Sequence, residues 1–110
     1  SSMIIFLSST RALRGDIGIS PYSISKSSLS GLSNVISKEY AKFNITSNVI
    51  NLGYFDSPLW EKIPEHKRND LINQIPSKRI GQAEDLIPIF KCLIESSYIN
   101  GAHLSLDGGL

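Results

Sequence analysis

Met3-Ile4-Ile5-Phe6-Leu7-Ser8-Ser9 begins with five consecutive apolar residues and ends in two hydroxyls. A short unbroken apolar run of this kind suits a strand buried on both faces, as strands of a parallel sheet are. A loop containing Gly15 and Gly18 follows, and Ser20-Pro21 then supplies a helix start. A hydroxyl at the cap accepts from the first free N–H groups, and proline at the first helical position has no N–H to leave unpaired. From there to about Phe43, the residues Leu29, Leu32, Val35, Ile36 and Tyr40 recur at helical spacing, and Asn44 closes the helix. Thr46 to Leu52 reads as a second buried strand centred on Val49 and Ile50, broken by Gly53.

Working on toward the C-terminus, Pro58 to Pro76 is a mixed segment with short helical patches around Leu59, Trp60 and Ile63, then Leu71, Ile72 and Ile75. A further helix is predicted from about Gln82 to Ser96. Glu84 and Asp85 favour the positive dipole end of its first turn, and Pro88 should distort its early part. Ala102 to Leu106 alternates as a third strand, and Asp107-Gly108-Gly109 turns the chain afterwards. Strand, helix, strand, helix, strand is the order of a parallel sheet covered by helices, so the fold class is α/β.

The chain has 110 residues, enough for one domain and too few for two. Eleven basic and ten acidic residues leave a net charge of +1, with no basic block interleaved with aromatics that would suit nucleic acid. The single cysteine, Cys92, has no internal disulfide partner, and its apolar helical setting reads as core packing in a reducing compartment. No apolar run reaches membrane-spanning length, so no membrane partner and a cytoplasmic location are expected. His66 and His103 show no metal spacing and read as surface or structural residues; no metal site is expected.

The residues with chemical potential are Tyr22 and Lys26. Four apart, they project from one face of a helix, one turn from each other. An ammonium near a phenol favours phenolate, lowers the phenol pKa and makes tyrosine a usable acid/base near neutral pH. The pair alone also fits an exposed surface pair. Ser9 changes the weighing: it lies thirteen residues before Tyr22, at the C-terminal tip of a predicted parallel strand. Ligands of open α/β sheets sit outside such tips, where the serine hydroxyl can converge on the phenol.

Here the chain resembles the short-chain dehydrogenase/reductase family. Ile4 to Ser9 resembles its fifth strand and catalytic serine, and Pro21 to Lys26 its Tyr-x-x-x-Lys helix at the usual distance. Asn51-Leu52-Gly53-Tyr54-Phe55-Asp56-Ser57 is similar to the stretch after its sixth strand, with Leu52 in place of the usual proline. Arg79 to Leu86, and Ile99-Asn100-Gly101 through Asp107-Gly108-Gly109, resemble the ending of its single-domain members. The ordered landmarks cover essentially the whole chain.

The resemblance implies the C-terminal half of a Rossmann-like doubly wound parallel sheet: three strands with covering helices, residues 1–110 forming the C-terminal part of one NAD(P)-binding domain. No glycine-rich strand-to-helix loop occurs, and the residues that would sort NAD from NADP and the family's catalytic asparagine are not in this sequence, so a partial site is expected. By resemblance, Tyr22 passes a proton to or from the substrate oxygen. Lys26 lowers its pKa and holds the nicotinamide ribose, and Ser9 holds the carbonyl oxygen. Gly53, the backbone of Phe55 and the Ser57 hydroxyl would meet the cofactor, NAD or NADP. The implied reaction passes hydride between nicotinamide and a ketone or secondary alcohol, as in 3-oxoacyl-carrier-protein reductases, with a small-molecule substrate that a carrier protein can deliver.

The alternatives are a nucleotide-sugar epimerase or dehydratase of the extended branch, against which the Asp-Gly-Gly ending speaks, and a non-catalytic cofactor-sensing relative. A homodimer or homotetramer is expected, paired through the Tyr-x-x-x-Lys helix, where Ser28, Ser33 and Ser37 would permit close approach, and through the last helix and strand. Trp60 either lines the pocket or packs, and Arg11 and Arg14 either select an anionic substrate or are solvated loop charges.

Overall fold

Three parallel strands form the sheet in the order β1 (Ser2–Ser9), β2 (Ile45–Leu52), β3 (His103–Leu106). The structure, a computed structural model, describes residues 2–9 and 20–110, with side chains described over 2–8 and 29–110. Ser9, Tyr22 and Lys26 therefore have a described backbone only, and Arg11, Arg14, Gly15 and Gly18 lie outside the described residues. The register is continuous, with Ser2 opposite Ile45 and Ser9 opposite Leu52, and then Val49 opposite His103 and Leu52 opposite Leu106.

Helix α1 (Ser20–Glu39) starts where Ser20-Pro21 predicts and runs back over one face of the sheet. It stops four residues short of Phe43. A separate 3-10 turn covers Ala41–Phe43, and Asn44 ends it in the left-handed conformation (φ 59°) that asparagine tolerates. The face that α1 turns to the sheet is mixed: Leu29 and Ile36 are half-buried beside serines, and Leu32 and Val35 are not part of it. Leu32 and Val35 are each 49% exposed, whereas Ser33 and Ser37 are buried. The Ser33 and Ser47 hydroxyls share a hydrogen bond of 2.7 Å, and His103 Nε2 meets Asn34 Oδ1 at 2.9 Å. Serines are short enough to bring a helix close to a sheet and can satisfy one another there. Close helix approach thus happens within the chain, and Ser33 and Ser37 are not available at an outer face.

After β2 come α2 (Pro58–Glu61) and α3 (Glu65–Gln74), the short helices of the mixed segment. The single helix expected from Gln82 is two pieces. A 3-10 turn, Ala83–Asp85, is closed by a reciprocal capping box between Gln82 and Asp85, and α4 (Ile87–Glu95) follows. Pro88 falls in the first turn of α4, where a missing N–H costs nothing, so it begins a helix instead of distorting one. α4 lies on the opposite face of the sheet from α1, where Leu93 and Ile94 share a groove with Met3 and Thr46.

Val49 and Ile50 are fully buried and Ile75 and Leu93 nearly so, which puts the core around β2. β1, read as buried on both faces, is only half-buried, with Leu7 44% exposed: among the described residues it has a strand neighbour on one side only. Cys92, read as core, is exposed on α4. Two side-chain amides, Asn48 buried and Asn100 exposed, fasten the ends of the sheet. Asn48, 1% exposed, accepts from Ala102 N–H (2.9 Å) and donates to the Ile99 carbonyl (3.2 Å). Asn100 accepts from Ser47 N–H (2.9 Å) and donates to the Ser37 carbonyl (2.7 Å), tying the C-terminal end of α1 to the start of β2.

Candidate functional site

Parallel strands all end at one edge, and helices that follow them begin there, so side chains from separate segments converge beyond the strand tips. In this sheet Ser9 is the last residue of β1, level with Leu52 at the end of β2 and, through it, Leu106 at the end of β3. α1 then begins at Ser20. Tyr22 and Lys26 stand eleven and seven residues before Ser33, that is, close to three and two helical turns. Both positions therefore share the helix stripe that Ser33 turns toward the sheet. Backbone placement brings Ser9, Tyr22 and Lys26 to one edge; their side chains lie outside the described residues.

The segment after β2 is described in full. Gly53 N–H donates to the Leu106 carbonyl, and a Cβ on Gly53 would stand 2.8 Å from the Asp107 Cβ, so only glycine fits between the two strand ends. Phe55 forms a bridge with Gly81, whose N–H donates to the Tyr54 carbonyl while its carbonyl accepts from Asp56 N–H. The Phe55 ring lies flat against Gly81, and any side chain there would displace it. The bridge uses the backbone groups on either side of Phe55, and no described residue bonds to the Phe55 N–H or carbonyl. Ser57 caps α2: its hydroxyl oxygen accepts from Trp60 N–H at 3.3 Å. Trp60 is 6% exposed and packs on Tyr54 with ring centres 5.5 Å apart, so of its two readings the packing one applies, while Leu59 beside it is 76% exposed.

Next to this segment Tyr54, Phe55, Arg79, Asp85, Leu106 and Asp107 enclose a cavity of about 230 Å³. Arg79 clamps Asp85 with two parallel bonds of 2.9 and 3.0 Å. The guanidinium, joined by the Gln82 N–H, holds the Asp85 carboxyl down at about 2, and the same bond raises Arg79. Asp85 thus stays ionised and fixes the wall of the cavity. His66 is exposed, His103 is held by Asn34, and among the described residues no group of His, Cys, Asp and Glu is arranged to hold a metal. Likewise no described helix is long and apolar enough to cross a membrane.

One feature of the site has no counterpart in the sequence reading. Ser8 and Asn51, opposite each other in register, are 5% and 2% exposed, yet the Ser8 hydroxyl and Asn51 Oδ1 have no hydrogen-bond partner among the described residues. The signal was present in the composition of β2, where Ser47, Asn48 and Asn51 are polar positions in a buried strand.

Comparison with known proteins gives these features a family. A family model described as enoyl-(acyl carrier protein) reductase matches residues 1–110. Among curated relatives, a 3-oxoacyl-[acyl-carrier-protein] reductase of Thermotoga maritima is 34% identical over 97% of this chain and 44% of its own length. A 3-hydroxyacyl-CoA dehydrogenase type-2 of Bos taurus is 32% identical over 98% of this chain and 42% of its own. The crystal structure of a blue fluorescent protein from a metagenomic library, in complex with NADPH, superposes with a TM-score of 0.87 at 28% identity, over 97% of this chain and 44% of that one. The chain thus spans somewhat less than half the length of the relatives it matches. With the strand order, the crossover helix and the glycine contacts after β2 all in place, the chain belongs to the short-chain dehydrogenase/reductase family.

Proposed function

We propose that the intact protein carrying this chain is an NAD(P)-dependent oxidoreductase acting on a ketone or secondary alcohol, and that residues 1–110 are the C-terminal part of its single Rossmann-like domain. The observation that carries the reading is the meeting of Ser9, at the tip of β1, with a helix whose sheet-facing stripe includes positions 22 and 26. The names of the relatives, reductases and dehydrogenases of acyl-carrier-protein and coenzyme A substrates, support a substrate carried on a thioester. The structural neighbour holds NADPH.

The described residues fit a nicotinamide. A carboxamide presents one acceptor and two donors, and the Phe55 N–H and carbonyl form a matching pair that no described residue occupies. Gly53 keeps the floor open where a Cβ would strike Asp107. The Ser57 oxygen is engaged by Trp60 N–H, which leaves its proton free to donate. Lys26 would reach the ribose. When bound, the nicotinamide supplies or takes the hydride.

The chain's own part is proton movement and charge stabilisation. Tyr22 gives a proton to the oxygen of a carbonyl being reduced, or takes it from an alcohol being oxidised. Lys26 keeps the phenol acidic enough to do so, and the Ser9 hydroxyl donates to the same oxygen as charge develops. Pairing of two copies through α1 is part of the proposal, using the exposed Leu32 and Val35 and not the serines. A cytoplasmic location accords with the exposed free thiol of Cys92.

Replacement of Tyr22 by Phe tests the reading. Turnover of a 3-oxoacyl thioester with NADH or NADPH should fall by about 10²-fold or more, because only the hydroxyl moves the proton. Retention of more than about a tenth of the activity would remove Tyr22 from the mechanism.

A further inference from the structure

Asn51 belongs to the same face of the sheet as Ser47, because residues two and four apart along a strand share a face. The bond between Ser47 and Ser33 identifies that face as the one α1 covers. Ser8, opposite Asn51 in register, shares it. Two buried oxygens therefore sit side by side under α1, about 4.8 Å apart at the backbone, each without a partner among the described residues. A buried polar atom left unpaired costs about 1–3 kcal/mol, so an adjacent pair of them marks a place built to receive a donor.

The fold indicates which donor. Asn51 lies four residues beyond Ser47 toward the strand tips, about 13 Å along β2. α1 runs the opposite way, and at 1.5 Å per residue the same distance from Ser33 takes about nine residues, to the level of position 24. On the sheet-facing stripe the positions that bracket this level are Tyr22 and Lys26. An ammonium carries three donors and no acceptor, which suits a bed of two neutral oxygens. Neutral oxygens have a further consequence: they hold the ammonium without cancelling its charge, as a carboxylate would.

We propose that Asn51, with Ser8, is a positioning residue for Lys26, accepting a hydrogen bond from its ammonium and fixing it, still fully charged, beside Tyr22. This rests on the oxidoreductase reading for its effect on turnover, but not for the contact itself. The strands facing α1 add little competing charge. β1 and β2 contain no ionisable side chain, and β3 contributes only His103, which is bonded to Asn34. Beyond the strand tips, the nearest ionisable residues in sequence are Arg11 after β1, Tyr54 and Asp56 after β2, and Asp107 after β3.

Three variants of the intact protein test it: Asn51→Asp, Asn51→Ala and Asn51→Leu. A carboxylate at 51 would pair with the ammonium and cancel its field on the phenol, so Asn51→Asp should move the tyrosine limb of the kcat/KM pH profile up by about one unit or more. Asn51→Ala and Asn51→Leu should lower kcat by about 10- to 100-fold, through misplacement of the ammonium, with KM for the carbonyl substrate nearly unchanged. A pH limb that stays put in all three overturns the positioning role.

A second measurement needs no turnover. Denaturation midpoints of Asn51→Leu, Lys26→Met and the double variant should fail to add, because either single change already breaks the contact. Additive midpoints overturn the proposal whatever the activity. Non-additive midpoints in a protein that reduces no carbonyl substrate would uphold the contact and strike the oxidoreductase reading alone.

Discussion

Asn48→Ala should be among the most damaging single changes in this chain, and its cost can be worked from two bonds. The side chain is 1% exposed and bridges β2 to the segment entering β3, accepting from Ala102 N–H at 2.9 Å and donating to the Ile99 carbonyl at 3.2 Å. Truncation to alanine leaves both backbone groups without their partner. Each buried group stranded in this way costs about 1–3 kcal/mol. Their sum, about 2–6 kcal/mol, is a large part of the 5–15 kcal/mol that typically holds a protein folded.

Chemical denaturation of the intact protein, followed by circular dichroism, reads the loss as a lower midpoint with an unchanged slope. A loss under about 1 kcal/mol would refute the reasoning, showing that water or a backbone shift satisfies both groups. Asn48→Asp sharpens the test. The carboxylate keeps the acceptor for Ala102 but loses the donor to Ile99, and burial raises its native pKa above the unfolded value near 3.9. The destabilisation should then be largest above that raised pKa and should ease as pH falls through it, when the carboxyl becomes neutral.

Asp85, whose carboxyl is held at about 2 by Arg79, contributes stability that is complete above its unfolded value and lost as pH falls from about 4 through 2. Asp85→Asn should therefore lower the thermal midpoint slightly at neutral pH, where the pair is solvent-facing, and leave it unchanged below about pH 2; a difference between the two proteins that does not shrink on acidification would contradict this. Leu32→Glu together with Val35→Lys, on the exposed side of α1, should dissociate the intact protein into monomers with its circular dichroism preserved. Light scattering that shows an unchanged oligomer would place the pairing surface elsewhere.

What could be read from the chain and what could not divides along physical lines. β1 was legible from its unbroken apolar run and β2 from the Val49-Ile50 pair at its centre, while Ser9, Tyr22 and Lys26 stood out as candidates by their spacing. The orientation of α1 was not legible. Leu29, Leu32 and Val35 have the period of a buried stripe, yet Leu32 and Val35 face outward and Ser33 and Ser37 inward, since the Ser33 hydroxyl is satisfied by Ser47 and the Ser37 hydroxyl by the Asn34 carbonyl. Cys92 and Pro88 went astray for a related reason: composition says what a residue prefers, and only the neighbouring element decides which preference is met. Ser8 and Asn51 escaped notice because a polar residue in a strand ordinarily means a face turned to water, and here it means a face turned to a helix.

The serine contact between α1 and β2 has a mechanical side. An oxygen–oxygen distance of 2.7 Å between Ser33 and Ser47 sets how high the helix stands above the sheet. The helix is a stiff rod, and positions 26 and 22 lie on it about 10 and 16 Å from that contact. Whatever changes the standoff at Ser33 also lifts or tilts the far end of the rod relative to the tip of β1 at Ser9. A methyl or two added at Ser47, remote from any reacting atom, would thus act as a shim, adjusting the gap into which a substrate oxygen must fit.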